Sequence, residues 1–430
     1  MREQNNNVPA IRFEGFSGQW FTHALQSVAD VLDGDRGANY PNGDDLQVSG
    51  HTLFLSASNI TSKGFMLGVS QYISEEKSNS MGNGKLVLGD IILTSRGSVG
   101  HIGWYSAEIS QQVPFARINS GMLIIRSKKQ VDPSVVAQFL KSPAGKKKID
   151  LISFGSAQPQ LTKMSVSTYT VNLPKERDEQ TKIGHYFQQL DTLIVQHQKK
   201  HDKLLNIKKA LLEKLFPKQG ATEPELRFKG FSGAWEERKL LSNFERIIDF
   251  RGRTPKKLGM DWSEDGYLAL SALNVKNGFI DFNADANFGD QELYDKWMSG
   301  NELHKNQVLF TTEAPMGNVA QVPDNQKYIL SQRTIAFEVK KKLIEDNFLA
   351  VTLSSPLMQR KLSSLSSGGT AQGVSQKSLA SVNVLVPKDI LEQTKIGNLF
   401  KQLDTLITQH QTQLNKLGNI KQACLEKMFV

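Results

Sequence analysis

Three groups of residues have the types and spacing from which chemistry could be built, and each falls short. Pro323-Asp324 followed by Glu338-Val-Lys340 has the outline of a nuclease metal site, where acids hold magnesium and a lysine orients the attacking water. The pattern is short, and the corresponding strand of the first half, Ile124-Ile-Arg126, lacks the acid, so Glu338 and Lys340 read as exposed members of an alternating edge strand. Gly82-Asn-Gly84-Lys85 resembles the end of a phosphate loop, but Asn79 stands where the first glycine belongs and Leu86 replaces the magnesium-binding Ser or Thr; it reads as a turn. The eight histidines form no zinc spacing. No Asn-Pro-Pro-Tyr or Asp-Pro-Pro-Tyr segment offers a pocket for amino-group methylation, and no glycine-rich strand-to-helix turn suggests a nucleotide cofactor. The expectation is a chain without a catalytic residue, metal or cofactor of its own.

What remains is suited to gripping a polyanion. Arg36-Gly37 and Arg251-Gly252-Arg253-Thr-Pro-Lys256 occupy matching places before the first strand of their halves, with glycines that let backbone approach phosphates. Arg96, Arg333, Gln158, Gln372, Lys146 and Lys147 add side chains able to pair with base edges or phosphates of DNA. Any one of these reads equally well as a solvated surface charge; duplicated position strengthens only the Arg-Gly loops and the two glutamines.

The elements that must position these residues are written twice. Arg12-Phe13-Glu-Gly15-Phe16-Ser17-Gly18-Gln-Trp20 returns as Arg227-Phe228-Lys-Gly230-Phe231-Ser232-Gly233-Ala-Trp235, and Glu179-Gln-Thr-Lys-Ile-Gly184 as Glu392-Gln-Thr-Lys-Ile-Gly397. The boxed tryptophans, each just after a glycine turn, read as core anchors rather than stacking platforms. Self-similarity at so long a period means repeated domains, here residues 9–174 and 218–387, each followed by a near-copied helix, 175–217 and 388–430. Apolar runs at Ile91–Leu93, Met122–Ile125, Val308–Phe310 and Val382–Val386 read as strands, and Val135–Leu140 and Asn347–Leu353 as short helices, giving an α+β domain.

Within the first long helix, Leu190, Leu193, His197, Leu204, Ile207 and Leu211 recur at three- and four-residue steps, as do Leu403, Leu406, His410, Leu417, Ile420 and Cys424 in its copy. Matched seams predict that the two helices pair as an antiparallel coiled coil with a pseudo-two-fold axis, the histidines forming a polar layer. At 1.5 Å per residue such a rod spans roughly 60 Å.

Composition narrows the setting. A chain of 430 residues with a formal charge of +9 suits two soluble domains and an anionic partner. Its single cysteine, Cys424, excludes an intrachain disulfide, and no long apolar run is present, so the cytoplasm is expected and a membrane span is not.

The boxed opening, the Glu-Gln and Leu-Asp-x-Leu-Ile motifs and the closing Leu-Glu-Lys-Leu-Phe216 and Leu-Glu-Lys-Met-Phe429 resemble the DNA specificity subunit of type I restriction-modification enzymes over nearly the whole chain. The resemblance implies two target recognition domains, each reading half of a bipartite double-stranded DNA site, spaced by a helical ruler. It implies as partners two methyltransferase subunits bearing S-adenosylmethionine and ATP- and magnesium-dependent restriction subunits that translocate and cut DNA. The competing readings are a stand-alone magnesium nuclease on Asp324, Glu338 and Lys340, and a scaffold that binds no DNA.

Overall fold

The computed structural model describes residues 7–62, 64–153, 159–366 and 373–430. It forms two compact units, Met1–His197 with Gln413–Val430 and Gln198–Thr412. Each unit thus takes the first part of one long helix and the last part of the other.

In the first unit, strands β1 (Phe21–Ala24), β2 (Ala29–Asp33), β3 (Thr52–Leu55), β4 (Tyr72–Ile73), β5 (Ile91–Thr94), β6 (Ile102–Trp104), β7 (Ala116–Ile118) and β8 (Met122–Ser127) precede helices α1 (Pro133–Lys141), α2 (Pro143–Ile152) and α3 (Lys163–Thr168). Strand β9 (Thr170–Leu173) and the long helix α4 (Arg177–Lys214) follow. The main sheet has the order β2-β8-β5-β6, a second has β4-β3-β7, and β1 pairs with β9. Strands β5 and β8 read as unbroken apolar runs because both faces are covered. Ile91, Leu93, Leu123 and Ile125 face the helices, while Ile92, Met122 and Ile124 face the second sheet.

The second unit repeats this plan with β10 (Glu236–Lys239), β11 (Phe244–Asp249), β12 (Tyr267–Leu270), β13 (Phe288–Gly289), α5 (Gln291–Met298), β14 (Val308–Thr311), β15 (Val319–Gln321), β16 (Ile329–Leu330) and β17 (Thr334–Val339). Helices α6 (Asp346–Ser354), α7 (Pro356–Ser364) and α8 (Gln376–Ser381), strand β18 (Asn383–Val386) and the long α9 (Ile390–Lys427) complete it. Its sheets are β11-β17-β14-β15, β13-β12-β16 and β10-β18, so the strand order is the same. Strand β17 is therefore interior, not the edge strand its alternation suggested. The α+β class and the repeat follow the expectation.

The copied motifs explain how each long helix is mounted. Arg12 grips Glu179 through two parallel hydrogen bonds of 2.6 and 2.7 Å, and its remaining amine donates to the Gly18 carbonyl. Glu179 is only 1% exposed. Gln180 accepts from the Asp132 amide ahead of α1 and donates to the Pro174 carbonyl, tying the helix start to both neighbours. Gly184 lies so close to Ser134 that a Cβ would fall 1.7 Å from its hydroxyl, so only glycine lets α1 and α4 meet. In the second unit, Arg227 and Glu392 form the same fork, and Gln393 accepts from Glu345 and donates to Pro387. The box phenylalanines Phe16 and Phe231 each lie under a lysine of the motif, Lys182 and Lys395, at 4.9 Å.

Trp20 and Trp235 are core residues, 2% and 3% exposed. Trp20 meets Phe429 edge-on, and Phe429 also packs on Phe139 and Phe187. Trp235 meets Phe216, which packs on Phe348 and Phe400. The phenylalanine closing each long helix therefore completes the core around the start of the other, and burial of such a ring contributes roughly 1.5–3 kcal/mol.

The helix ends within each unit run antiparallel. In the first unit Tyr186 lies 3.6 Å from Cys424 and Asp191 accepts from Lys421 at 2.5 Å. In the second unit Lys208 donates to Asp404 at 2.5 Å, the same pair displaced by one repeat. The seam differs from the one expected. Leu190 and Leu403 are buried, Leu204 and Leu211 pack on the second core, and Leu417, Ile420 and Cys424 on the first. Leu193, Ile207 and Leu406, however, are exposed. Their places are taken by half-buried Ile194, His201 and Lys208 in α4 and by Ile407, Leu414 and Lys421 in α9, alongside His197 and His410. The lysine stems cover apolar surface while their ammonium groups reach an aspartate of the other helix.

Glu179→Ala leaves Arg12 part-buried without its carboxylate, a change that costs about 3–5 kcal/mol for such pairs. Calorimetry is expected to show the melting of the first unit lowered, and Glu392→Ala to lower that of the second. The double change Arg12→Met with Glu179→Leu recovers most of the loss. A single variant that melts as the parent does would show that the fork does not hold the helix.

Candidate nucleic-acid interface

One end of each main sheet gathers the arginines. In the first unit β2 and β5 run out of this end and β8 runs into it, because both flanking strands are antiparallel to β8. Arg36 lies after β2 rather than before the first strand. Gly34 permits the turn there, since a Cβ would sit 2.3 Å from the Asn119 carbonyl oxygen. Arg36 is half exposed; its guanidinium donates to the Ser120 carbonyl at 3.3 Å and lies 3.6 Å from Asp33. The exposed Arg96 sits in the β5–β6 connection, where the amides of Ser95 and Arg96 both donate to the Gly121 carbonyl. Leu161 donates to the Ser95 carbonyl, so the chain returns to the same cluster.

The second unit builds the same edge with different side chains. Arg251 follows β11 and is clamped by Asp249 at 2.6 Å, which also accepts from Gln376. Burial opposes the charge on Asp249, but these hydrogen bonds hold its carboxyl below the usual range. Thr312 donates to the Arg333 carbonyl as Ser95 does to that of Gly121, and Val374 donates to Thr312. Arg333 thus occupies the place of a glycine, with φ of +65°, and its exposed guanidinium lies 3.7 Å from Glu313. A non-glycine residue in this region costs of order 1 kcal/mol or more, and such positions concentrate where function requires them. Glu313, across from Arg333, was not among the expected residues; only the spatial neighbourhood singles it out.

The other expected residues lie apart from this edge or are engaged. Arg253 is a packing residue: its guanidinium donates to the Trp297 carbonyl and stacks 4.4 Å from the Phe250 ring. Lys256 is exposed on the short turn Pro255–Leu258. Lys146 and Lys147 are exposed on α2, and Lys148 reaches the Thr170 carbonyl. Gln158 and Gln372 lie outside the described residues.

The nuclease outline does not assemble. Asp324 accepts from the Gln326 amide and Tyr328 hydroxyl, Glu338 from Gln307, and Lys340 donates to the Ser242 carbonyl, three separate environments. Among the described residues no group of three or more His, Cys, Asp or Glu side chains could hold a metal. The Gly82–Lys85 turn is likewise occupied: the Gly82 amide donates to Asp35, and the Gly82 and Asn83 carbonyls accept from Arg117. No described helix is long and apolar enough to cross a membrane.

The described residues thus form two copies of one α+β plan, each with an arginine-bearing loop edge and each mounted on the start of one long helix and the end of the other. The family described as type I restriction modification DNA specificity domain matches residues 18–206 and again 235–419, and the chain belongs to it. The type I restriction enzyme EcoBI specificity subunit of Escherichia coli is 23% identical over 171 residues, 39% of this chain and 35% of that protein, so the matched region spans about a third of that relative's length. The S subunit of a type I restriction-modification system from M. genitalium has a similar fold, with a TM-score of 0.63 at 15% identity, covering 98% of this chain and 99% of that one.

One charge near the expected acids is anomalous. Burial, then the Glu345 carboxylate, pushes Asp346 up to about 6, and its Oδ1 is buried without a hydrogen-bond partner. A carboxyl raised in the folded state binds more protons than in the unfolded chain between about pH 4 and 6, so its contribution to stability falls as pH rises through that window. Asp346→Asn is expected to raise the Tm of the second unit at pH 8, with the gain shrinking towards pH 4. A gain that is the same at both pH values would exclude this origin.

Proposed function

We propose that this chain is the sequence-reading subunit of a type I restriction-modification complex, working in the cytoplasm. Its target recognition domains, residues 9–174 and 218–387, each read half of a bipartite double-stranded DNA site. The helices 175–217 and 388–430 act as a ruler between the half-sites. Two methyltransferase subunits bearing S-adenosylmethionine modify adenines there, and ATP- and magnesium-dependent restriction subunits translocate and cut. The observation that carries this reading is the duplicated sheet edge, where an identical frame presents different arginines: Arg36 and Arg96 in one unit, Arg251 and Arg333 in the other. Phosphate contacts at such loops would place the domain, and side chains in the groove would read bases. The recurrence of the Lys208–Asp404 pair as Lys421–Asp191 supports the ruler, because cross-helix charge pairs fix register.

The reading is tested by co-expressing the chain with a type I methyltransferase and mapping modified adenines. A single bipartite motif with one spacer is expected; random or absent modification would favour the scaffold alternative. Lengthening both helices by one heptad, about 10 Å, corresponds to roughly three base pairs. The preferred spacer should lengthen accordingly, and an unchanged spacer would remove the ruler. Arg333→Gly should keep or raise the Tm while weakening modification of one half-site only. If Tm and modification both stay at parental values, Arg333 is not a reading residue.

A further inference from the structure

We propose that the first unit contains a phosphate-binding pocket between α2, β6 and the last turns of α9. A cavity of about 180 Å³ is lined there by Lys141, Lys146, Lys421, His101, Gln422 and Ser62 among others. Three ammonium groups therefore border one small space. Asp191 is committed to Lys421, and neither Lys141 nor Lys146 has an ion-pair partner among the described residues. His101 contributes from one ring nitrogen to the Ile60 carbonyl at 3.1 Å. Burial pulls the Lys141 ammonium below the ordinary lysine range; the Asp191 carboxylate pulls it back, and the Lys421 charge lowers it further. Three ammonium groups sharing the one carboxylate of Asp191 leave an excess of positive charge beside the cavity, which a compact anion such as a phosphate monoester or inorganic phosphate would offset.

The second unit shows that the frame does not need these lysines. Ser142-Pro143 and Ser355-Pro356 cap and begin equivalent helices, which places Ser354 at the position of Lys141 and Gln359 at that of Lys146. Gln359 closes the equivalent place with neutral hydrogen bonds to the Gly317 and Leu353 carbonyls. The basic pocket is an addition to one unit.

The phosphate could belong to the bound duplex or to a free small molecule, and two arms of one experiment separate these. In the first, which does not depend on the proposed DNA reading, thermal unfolding of the full chain is followed in inorganic phosphate against chloride at equal ionic strength. The parent is expected to gain several degrees, saturating with phosphate. The double variant Lys141→Ser with Lys146→Gln, copying the second unit, should lose that gain while melting normally in chloride. In the second arm, affinity for a duplex of arbitrary sequence is measured against salt; a duplex phosphate in the pocket makes the slope of log K on log salt shallower by about one in the variant. A phosphate gain with an unchanged slope assigns the pocket to a free phosphate, and a changed slope to the duplex. No gain together with an unchanged slope, or a gain that the variant retains, overturns the proposal.

Discussion

A carboxylate that is almost wholly removed from water at the start of each long helix constrains everything around it. Burying Glu179 is costly unless its oxygens are matched by donors in a fixed plane, and the Arg12 fork provides that match. The arginine is itself held, because its third bond goes to the Gly18 carbonyl of the turn that presents Trp20. A helix that tilted or rotated would break paired bonds at a site water cannot repair. Gln180 and Gly184 extend the constraint along the same face, which continues through Ile183, Phe187 and Leu190. The box, the strand β9 exit and the first turn of α1 thereby become one mount, and the second unit repeats it bond for bond through Arg227, Glu392 and Gln393.

The repetition separates what must be kept from what is free to differ. Mount, strand order and helix seam are shared between the units. The loop edge is not: Arg96 and Gly121 of one unit face the roles of Glu313 and Arg333 in the other, and Lys141 and Lys146 correspond to Ser354 and Gln359. These residues lie at strand ends and on the paired helices α1–α2 and α6–α7, outside the buried apolar clusters of both units. A rigid frame carrying variable loops is the usual way a fold acquires a new binding preference.

Much of this was legible in the sequence, and the limits have physical reasons. The repeat, the long helices and the doubly covered strands were readable because their signals are local: copied segments, three-and-four spacing, unbroken apolar runs. Periodicity alone points to Leu193, Ile207 and Leu406 because it rewards apolar residues, yet all three are exposed. The real seam uses Lys208 and Lys421, whose partners lie 196 and 230 residues away in sequence. Strand β17 read as an edge because Glu338 broke its apolar run, yet that side chain lies at the strand's end, bonded to Gln307. Arg253 looks like a phosphate ligand in the sequence because the Trp297 carbonyl that holds it is 44 residues away, and its stacking on the nearby Phe250 ring depends on the turn between them.

Arg333 shows how the two edges came to differ. The carbonyl at this position must accept from the β14–β15 connection, as Gly121 does from the β5–β6 connection, so its backbone path is fixed by the frame. Glycine follows such a path freely, whereas arginine adopts it at φ +65° against steric resistance. The side chain gains little in return from Glu313, since an exposed pair at 3.7 Å is worth only a few tenths of a kcal/mol. A residue that costs the fold more than its visible contacts restore is held for something outside the fold. On the proposed function, its position at the loop edge makes a groove of DNA the partner that would restore the balance, and its absence from the first unit would let the two halves of the target differ.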